Sequence, residues 1–134
     1  MRAPRKNALQ AFSLVEVSLV IGLMLSLAAI VAYSVSSMGE WRLGRDASEK
    51  LRSVYLAQKS FLADQPSKDF TTFTEEELIP YLPNRALAMP TQTGKDGETL
   101  SVNVQTMPPV FRSGAAGYDP SGKSNDGLWD VGPL

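Results

Sequence analysis

From Phe12 to Met38 the chain is apolar or small at nearly every position. Leu, Val, Ile, Ala and Met dominate these 27 residues, and Glu16 is the only charged one. Such a run has no polar face. A helix that is hydrophobic all round is buried in a large core or lies in a membrane, and about 20 apolar residues cross the hydrocarbon layer. The pattern therefore predicts a membrane-spanning helix over 12–38, with Gly22, Ser13, Ser18 and Ser26 as small positions where membrane helices approach closely. Beyond it the periodicity changes. Leu43, Ala47, Leu51, Val54, Gln58 and Phe61 recur at steps of three and four, which is one face of an amphipathic helix over 39–65. Asp46 and Lys50 make an i,i+4 pair on its solvated side. No proline stands between Pro4 and Pro66, so one helix is expected from about Phe12 to about Asp64, roughly 80 Å long at 1.5 Å per residue. Gly39 and Gly44 mark flexibility where the helix leaves lipid, or close packing, or are simply tolerated.

Residues 66–134 read as a small head of another texture. Thr74 precedes Glu77 by three positions, with Phe73 before and Leu78 after, the signature of a capped helix start. This predicts a short helix from about Glu75 to Tyr81, ended by Pro83. Glu75, Glu76 and Glu77 form either an acidic patch or, more simply, the negative first turn of that helix. Asp96-Gly97 signals a turn. Leu100, Val102 and Val104 then alternate with Ser101, Asn103 and Gln105 as in a strand. Pro109–Gly114 is the better candidate partner and "ALAMPTQ", 86–92, the other. The expected fold class is α+β, a long N-terminal helix packed on a small antiparallel sheet of two or three strands, with a loop-rich C-terminal tail.

Charge adds a direction. Arg2, Arg5 and Lys6 lie ahead of the apolar run with no acid among the first eleven residues, while the remainder is net acidic. A basic flank keeps that end cytoplasmic and sends the head across the membrane. The chain contains no histidine and no cysteine, which excludes disulfides, thiol nucleophiles and serine–histidine relays. No constellation of carboxylates, Lys, Ser or Tyr proposes catalysis, so the chain reads as a non-enzyme. Its formal net charge of −1 gives no reason to expect nucleic-acid binding.

Glu16 is the discordant residue. A carboxylate in mid-membrane costs roughly 3 kcal/mol on insertion scales and calls for a partner. If the chain were cut before Phe12, the new α-amine would stand four helical positions from Glu16, on the same face. It could meet its own Glu16 or that of an adjacent subunit. The value of such a pair lies in register between neighbours.

"A-F-S-L-V-E", with a short basic leader before it and an apolar helix after it, resembles the type IV prepilin signal, shared by type IV pilins and the pseudopilins of type II secretion systems. The resemblance implies that residues 1–11 are a leader, removed by prepilin peptidase between Ala11 and Phe12. It also implies N-methylation of Phe12, and that Glu16 guides addition of the subunit to a growing filament. The family prefers glycine where Ala11 stands. The implied partners are the peptidase, other pilin or pseudopilin subunits and an inner-membrane assembly platform. Nucleic acid would enter only if the filament were a DNA-uptake pilus. The implied location is the inner membrane, single-pass, with the head outside, and then a periplasmic or extracellular filament. The competing reading is an uncleaved, membrane-anchored binding module with an extracytoplasmic head.

The tail, "GYDPSGKSNDGLWDVGPL", gathers Asp119, Ser121, Asn125, Asp126 and Asp130. Clustered oxygen donors on a turning loop suit calcium, and the tail loosely resembles the calcium-binding C-terminal loop of the major pseudopilin. The alternative is an ordinary loop with turns at Asp-Pro, Ser-Gly and Asp-Gly, closed by Trp129 against the head.

Overall fold

The structure, a computed structural model, describes the backbone of residues 6–134 and the side chains from Ser13 onward. Residues 1–5, part of the expected leader, lie outside the described residues, as do the side chains of residues 6–12. The cleavage expected between Ala11 and Phe12 and the methylation expected at Phe12 therefore concern side chains outside them.

The first element, α1, runs Lys6–Asp64, and no proline interrupts it. The fold divides into two compact units, 1–38 and 39–134. In the first, every side chain from Ser13 to Met38 is exposed. From Ser13, α1 is long and apolar enough to cross a membrane.

The second unit is a head built on residues 39–64 of α1. Ala47, Leu51, Val54, Ala57 and Phe61 are buried, the stripe that a period of three and four dictates. They meet an antiparallel sheet of order β1-β2-β3-β4: β1 Gln92–Thr93, β2 Thr99–Asn103, β3 Val110–Ser113 and β4 Ala116–Gly117. β2 alternates as its sequence demands, with Leu100 and Val102 inward and Thr99 and Ser101 outward. Val102 pairs with Phe111 and Ser101 with Arg112. Phe111, Leu100 and Phe73 are buried to 1% exposure or less. Burying a side chain of this size contributes about 1.5–3 kcal/mol. The sheet has four strands where two or three were expected. The extra pairings are two-residue ladders, and β4 carries only an alanine and a glycine.

Between α1 and the sheet, α2 runs Glu75–Leu78. The Thr74 backbone N–H donates to Glu77 Oε2 at 3.1 Å, one half of the expected capping box. A 3₁₀ turn, Ile79–Tyr81, completes the predicted span. Pro80 has no N–H to continue an α-helical ladder. Phe61 stands edge-on to both Phe73 and Tyr81, at 5.1 and 5.6 Å between ring centres, so α1 and this helical segment share one aromatic cluster.

Gln58 is the buried exception in the apolar stripe of α1. Its Nε2 donates to the Val104 carbonyl at 2.9 Å and the Thr106 carbonyl at 3.0 Å. Its amide nitrogen thereby satisfies backbone oxygens beyond the end of β2, while Gln58 Oε1 is buried without a hydrogen-bond partner. Gly44 resolves towards packing. A Cβ there would lie 3.0 Å from Trp129 Nε1 and 3.2 Å from Leu128 Cβ, and the Trp129 N–H donates to the Gly44 carbonyl at 3.0 Å. Gly39 has nothing within 4 Å of the same construction.

Candidate functional site

Two regions carry the chemistry singled out in the sequence, and each belongs to its own unit.

The first is the surface of α1 from Ser13 to Met38. Leu14, Leu23, Ile30 and Val35 are all more than half exposed, and no residue of this stretch is buried. Two of its serines are satisfied within the helix: Ser18 Oγ donates to the Leu14 carbonyl at 2.9 Å and Ser26 Oγ to the Gly22 carbonyl at 2.8 Å. Such back-bonding four residues up the helix satisfies the hydroxyl inside an apolar setting. Nothing lies within 4 Å of a Cβ built at Gly22, so its small size serves no contact inside the chain. Glu16 is exposed on this surface, and among the described residues it makes no hydrogen bond or ion pair.

The second region is the tail, 118–134. It folds back on α1 through the Gly44 notch and through Arg52, whose Nε donates to the Val131 carbonyl at 2.8 Å. Gly132 has φ +85°, and a Cβ there would come 2.7 Å from the Arg52 guanidinium, so both backbone freedom and space require glycine. Trp129 is buried and stands edge-on to Tyr118, 5.1 Å between ring centres.

The five oxygen-bearing tail residues divide their work. Asp119 Oδ1 accepts from the Ser121 N–H at 3.1 Å and from Ser121 Oγ at 2.6 Å, closing a turn. Asp126 Oδ1 accepts from the Leu128 N–H at 3.0 Å. Asp130 is 6% exposed; its Oδ1 accepts from the N–H groups of Gly127 at 3.1 Å and Gly132 at 2.6 Å. Asp130 Oδ2 is buried without a hydrogen-bond partner. Asn125 is exposed on the wall of an apolar groove. Burial pushes the Asp130 carboxyl up, and the neighbouring Asp126 adds to this against the pull of the Gly132 and Gly127 N–H groups. Burial acts in the same sense on Asp126, but the Leu128 N–H, Asp130 and the Ser121 hydroxyl outweigh it and hold that carboxyl low.

Asp126 and Asp130 thus form a pair. Among the described residues, no three acidic side chains gather into a metal-holding group. Calcium takes six to eight oxygens. The described side chains supply only a fraction of such a shell, although the orphaned Asp130 Oδ2 would suit a cation.

The triple glutamate is divided as well. Glu77 pairs with Lys68 at 2.5 Å, and the Lys68 hydrogen bond followed by the Thr74 N–H holds its carboxyl below the usual range.

One feature escaped the sequence pattern. A groove of about 590 Å³ opens between the β3–β4 side of the head and the tail. Val110, Tyr118, Trp129, Val131, Pro133 and Leu134 are among its lining residues, and the exposed carboxylate of Asp119 borders it. The only hint in sequence was the supply of prolines and glycines at 108–109 and 132–133, which hold chain apart without filling space. The chain matches no family model, no curated protein and no solved structure.

Proposed function

We propose that the chain is a subunit of a type IV pilus-like filament, in the first place the pseudopilus of a type II secretion machine. One observation carries the reading: from Ser13 to Met38 an unbroken helix surface is apolar and uncovered, and it bears a single carboxylate, Glu16, four residues beyond Phe12 in "AFSLVE". A surface of that size asks for lipid or for copies of itself. In the proposed cycle the helix first spans the inner membrane, with Arg2, Arg5 and Lys6 on the cytoplasmic side. Prepilin peptidase then cuts between Ala11 and Phe12, and Phe12 is methylated. The freed amine, with a reference pKa of about 8, is positive near neutral pH. It pairs with Glu16 of the neighbouring subunit as the chain leaves the membrane through the assembly platform, and the apolar surfaces of successive copies then cover one another.

The back-bonded Ser18 and Ser26 and the open Gly22 fit this use, because hydroxyls satisfied within the helix move from lipid to protein contact without losing a hydrogen bond. The 590 Å³ groove in the head favours a second reading, an uncleaved anchored module whose head binds a ligand. The mass of the mature N-terminus separates the two. The filament reading expects a chain beginning at N-methylated Phe12; an intact Met1 in assembled material would overturn it.

A further inference from the structure

The head carries a knob as well as a groove. Leu87 is 94% exposed on the segment that leads into β1. Its neighbours are Ala86 and Ala88, too small to shield it. The segment is held in shape at an unusual place: Asn84 and Arg85 both have positive φ, 61° and 53°. Two successive non-glycine residues in the left-handed region cost about 1–3 kcal/mol each and persist where the surroundings fix them.

We propose that Leu87 of one subunit inserts into the tail groove of the next, forming a head-to-head contact along the filament. This rests on the filament reading given above and names a contact which that reading leaves open. Three observations support a second copy of this chain as the occupant. The groove, of about 590 Å³, is lined mainly by apolar and aromatic side chains with Asp119 and Asn125 on its wall, room for Leu87 together with its small neighbours. The charges are complementary: residues 79–93 carry one charge, the exposed Arg85, whereas residues 118–134 carry Asp119, Asp126 and Asp130 against Lys123 alone. The knob and the groove also share no residue. A contact between two different patches of the same chain is heterologous and, where the rotation does not close a ring, it propagates as an open fibre.

The absence of cysteine from the sequence makes the test clean. In the full chain, expressed in the cell that makes it, Leu87→Cys and Pro133→Cys are introduced together and bridged with a short bis-maleimide. Pro133 is exposed and lines the groove. A ladder of multimers is expected from the double variant. A single dimer is expected when the two single variants are co-expressed, and none from Leu87→Cys alone. A dimer from Leu87→Cys alone would mean that knobs meet knobs and would overturn the proposal, as would absence of the ladder.

The N-terminus assigns such a failure. Methylated Phe12 without a ladder removes this contact and leaves the filament standing; intact Met1 without a ladder removes both. Independently, Leu87→Ser is expected to lower the assembled fraction about tenfold, the effect of losing one buried leucine contact. Because the side chain touches only solvent, Tm of the unassembled chain is expected to stay the same. Assembly at the wild-type level would overturn the proposal.

Discussion

Residues 13–38 and 39–134 use apolar side chains in opposite ways. In the head, leucines and phenylalanines converge until Leu51, Leu78, Leu100 and Phe111 have no exposed surface. On residues 13–38 of α1, equally apolar residues are all exposed. Hydropathy alone does not distinguish them; periodicity does. A stripe at steps of three and four assigns an inside and an outside within one molecule, and a run without a stripe assigns both to something else. The head is therefore complete by itself, while the apolar run has meaning only in company.

The largest effect that would break this contrast is at Glu16. Glu16→Ala is expected to insert in the membrane, to leave Tm of the head unchanged and to abolish filament incorporation, read by the fraction of chain recovered in sheared filaments. Normal incorporation would remove Glu16 from the assembly mechanism. Next come truncations matched in kind. Phe111→Ala is expected to destabilise the head by about 3–5 kcal/mol in denaturant titration. Leu23→Ala, on the uncovered surface, is expected to stay within about 0.5 kcal/mol. Equal losses would erase the distinction between the two regions.

A smaller effect concerns the tail carboxylates. Asp130→Ala leaves the Gly127 and Gly132 N–H groups without an acceptor and is expected to cost about 2 kcal/mol or more. Asp130→Asn keeps the Oδ1 acceptor and is expected to behave differently. Because the folded state raises the Asp130 pKa above 3.8, it holds that proton more tightly than the unfolded chain. The stability associated with Asp130 is therefore greatest in acid and falls as pH rises from about 3.8 through the raised value. Asp126, held low, acts in the opposite sense as pH falls below 3.8. Asp130→Asn is expected to flatten the falling limb of a Tm-versus-pH curve above pH 3.8, with a chelator making no difference. A persistent limb would assign it elsewhere, and a chelator-sensitive one would restore calcium to the tail. The smallest pair is at the two glycines of α1. Gly39→Ala is expected to stabilise by about 0.5–1 kcal/mol through helix propensity. Gly44→Leu is expected to destabilise by about 1–3 kcal/mol against Trp129 and Leu128. The same sign for both would make the notch unimportant.

What could be read in advance follows from how locally each feature is specified. Leu43, Ala47, Leu51, Val54, Gln58 and Phe61 announce a helix face because the period repeats, and all are buried or half-buried. The strand at Thr99–Asn103 announces itself by alternation, and Glu75 by the Thr74–Glu77 spacing. Ala116 and Gly117 offer no alternation to read, and their pairing with Ser113 and Arg112 is set by the neighbouring strand. The positive φ of Asn84 and Arg85 depends on surroundings that no six-letter window contains. The tail residues were visible as oxygen donors, but not their division into a turn-closer, a groove wall and a carboxylate pair. The tail as a whole is tied down by Gly44 and Arg52, far back in the chain. Arg52 and Val131 are 79 residues apart.

That separation bears on the order in which the head can be made. The buried face of α1 near Gly44 and Arg52 is closed by Leu128, Trp129 and Val131. A chain delivered N-terminus first presents this face long before it presents its cover. Contacts between distant residues also form late, because loop closure must be met before they add stability. Residues 128–131 are thus the last part of the head's cover to reach the helix. Until then the Gly44 notch and the Arg52 guanidinium lack the partners that the tail brings them.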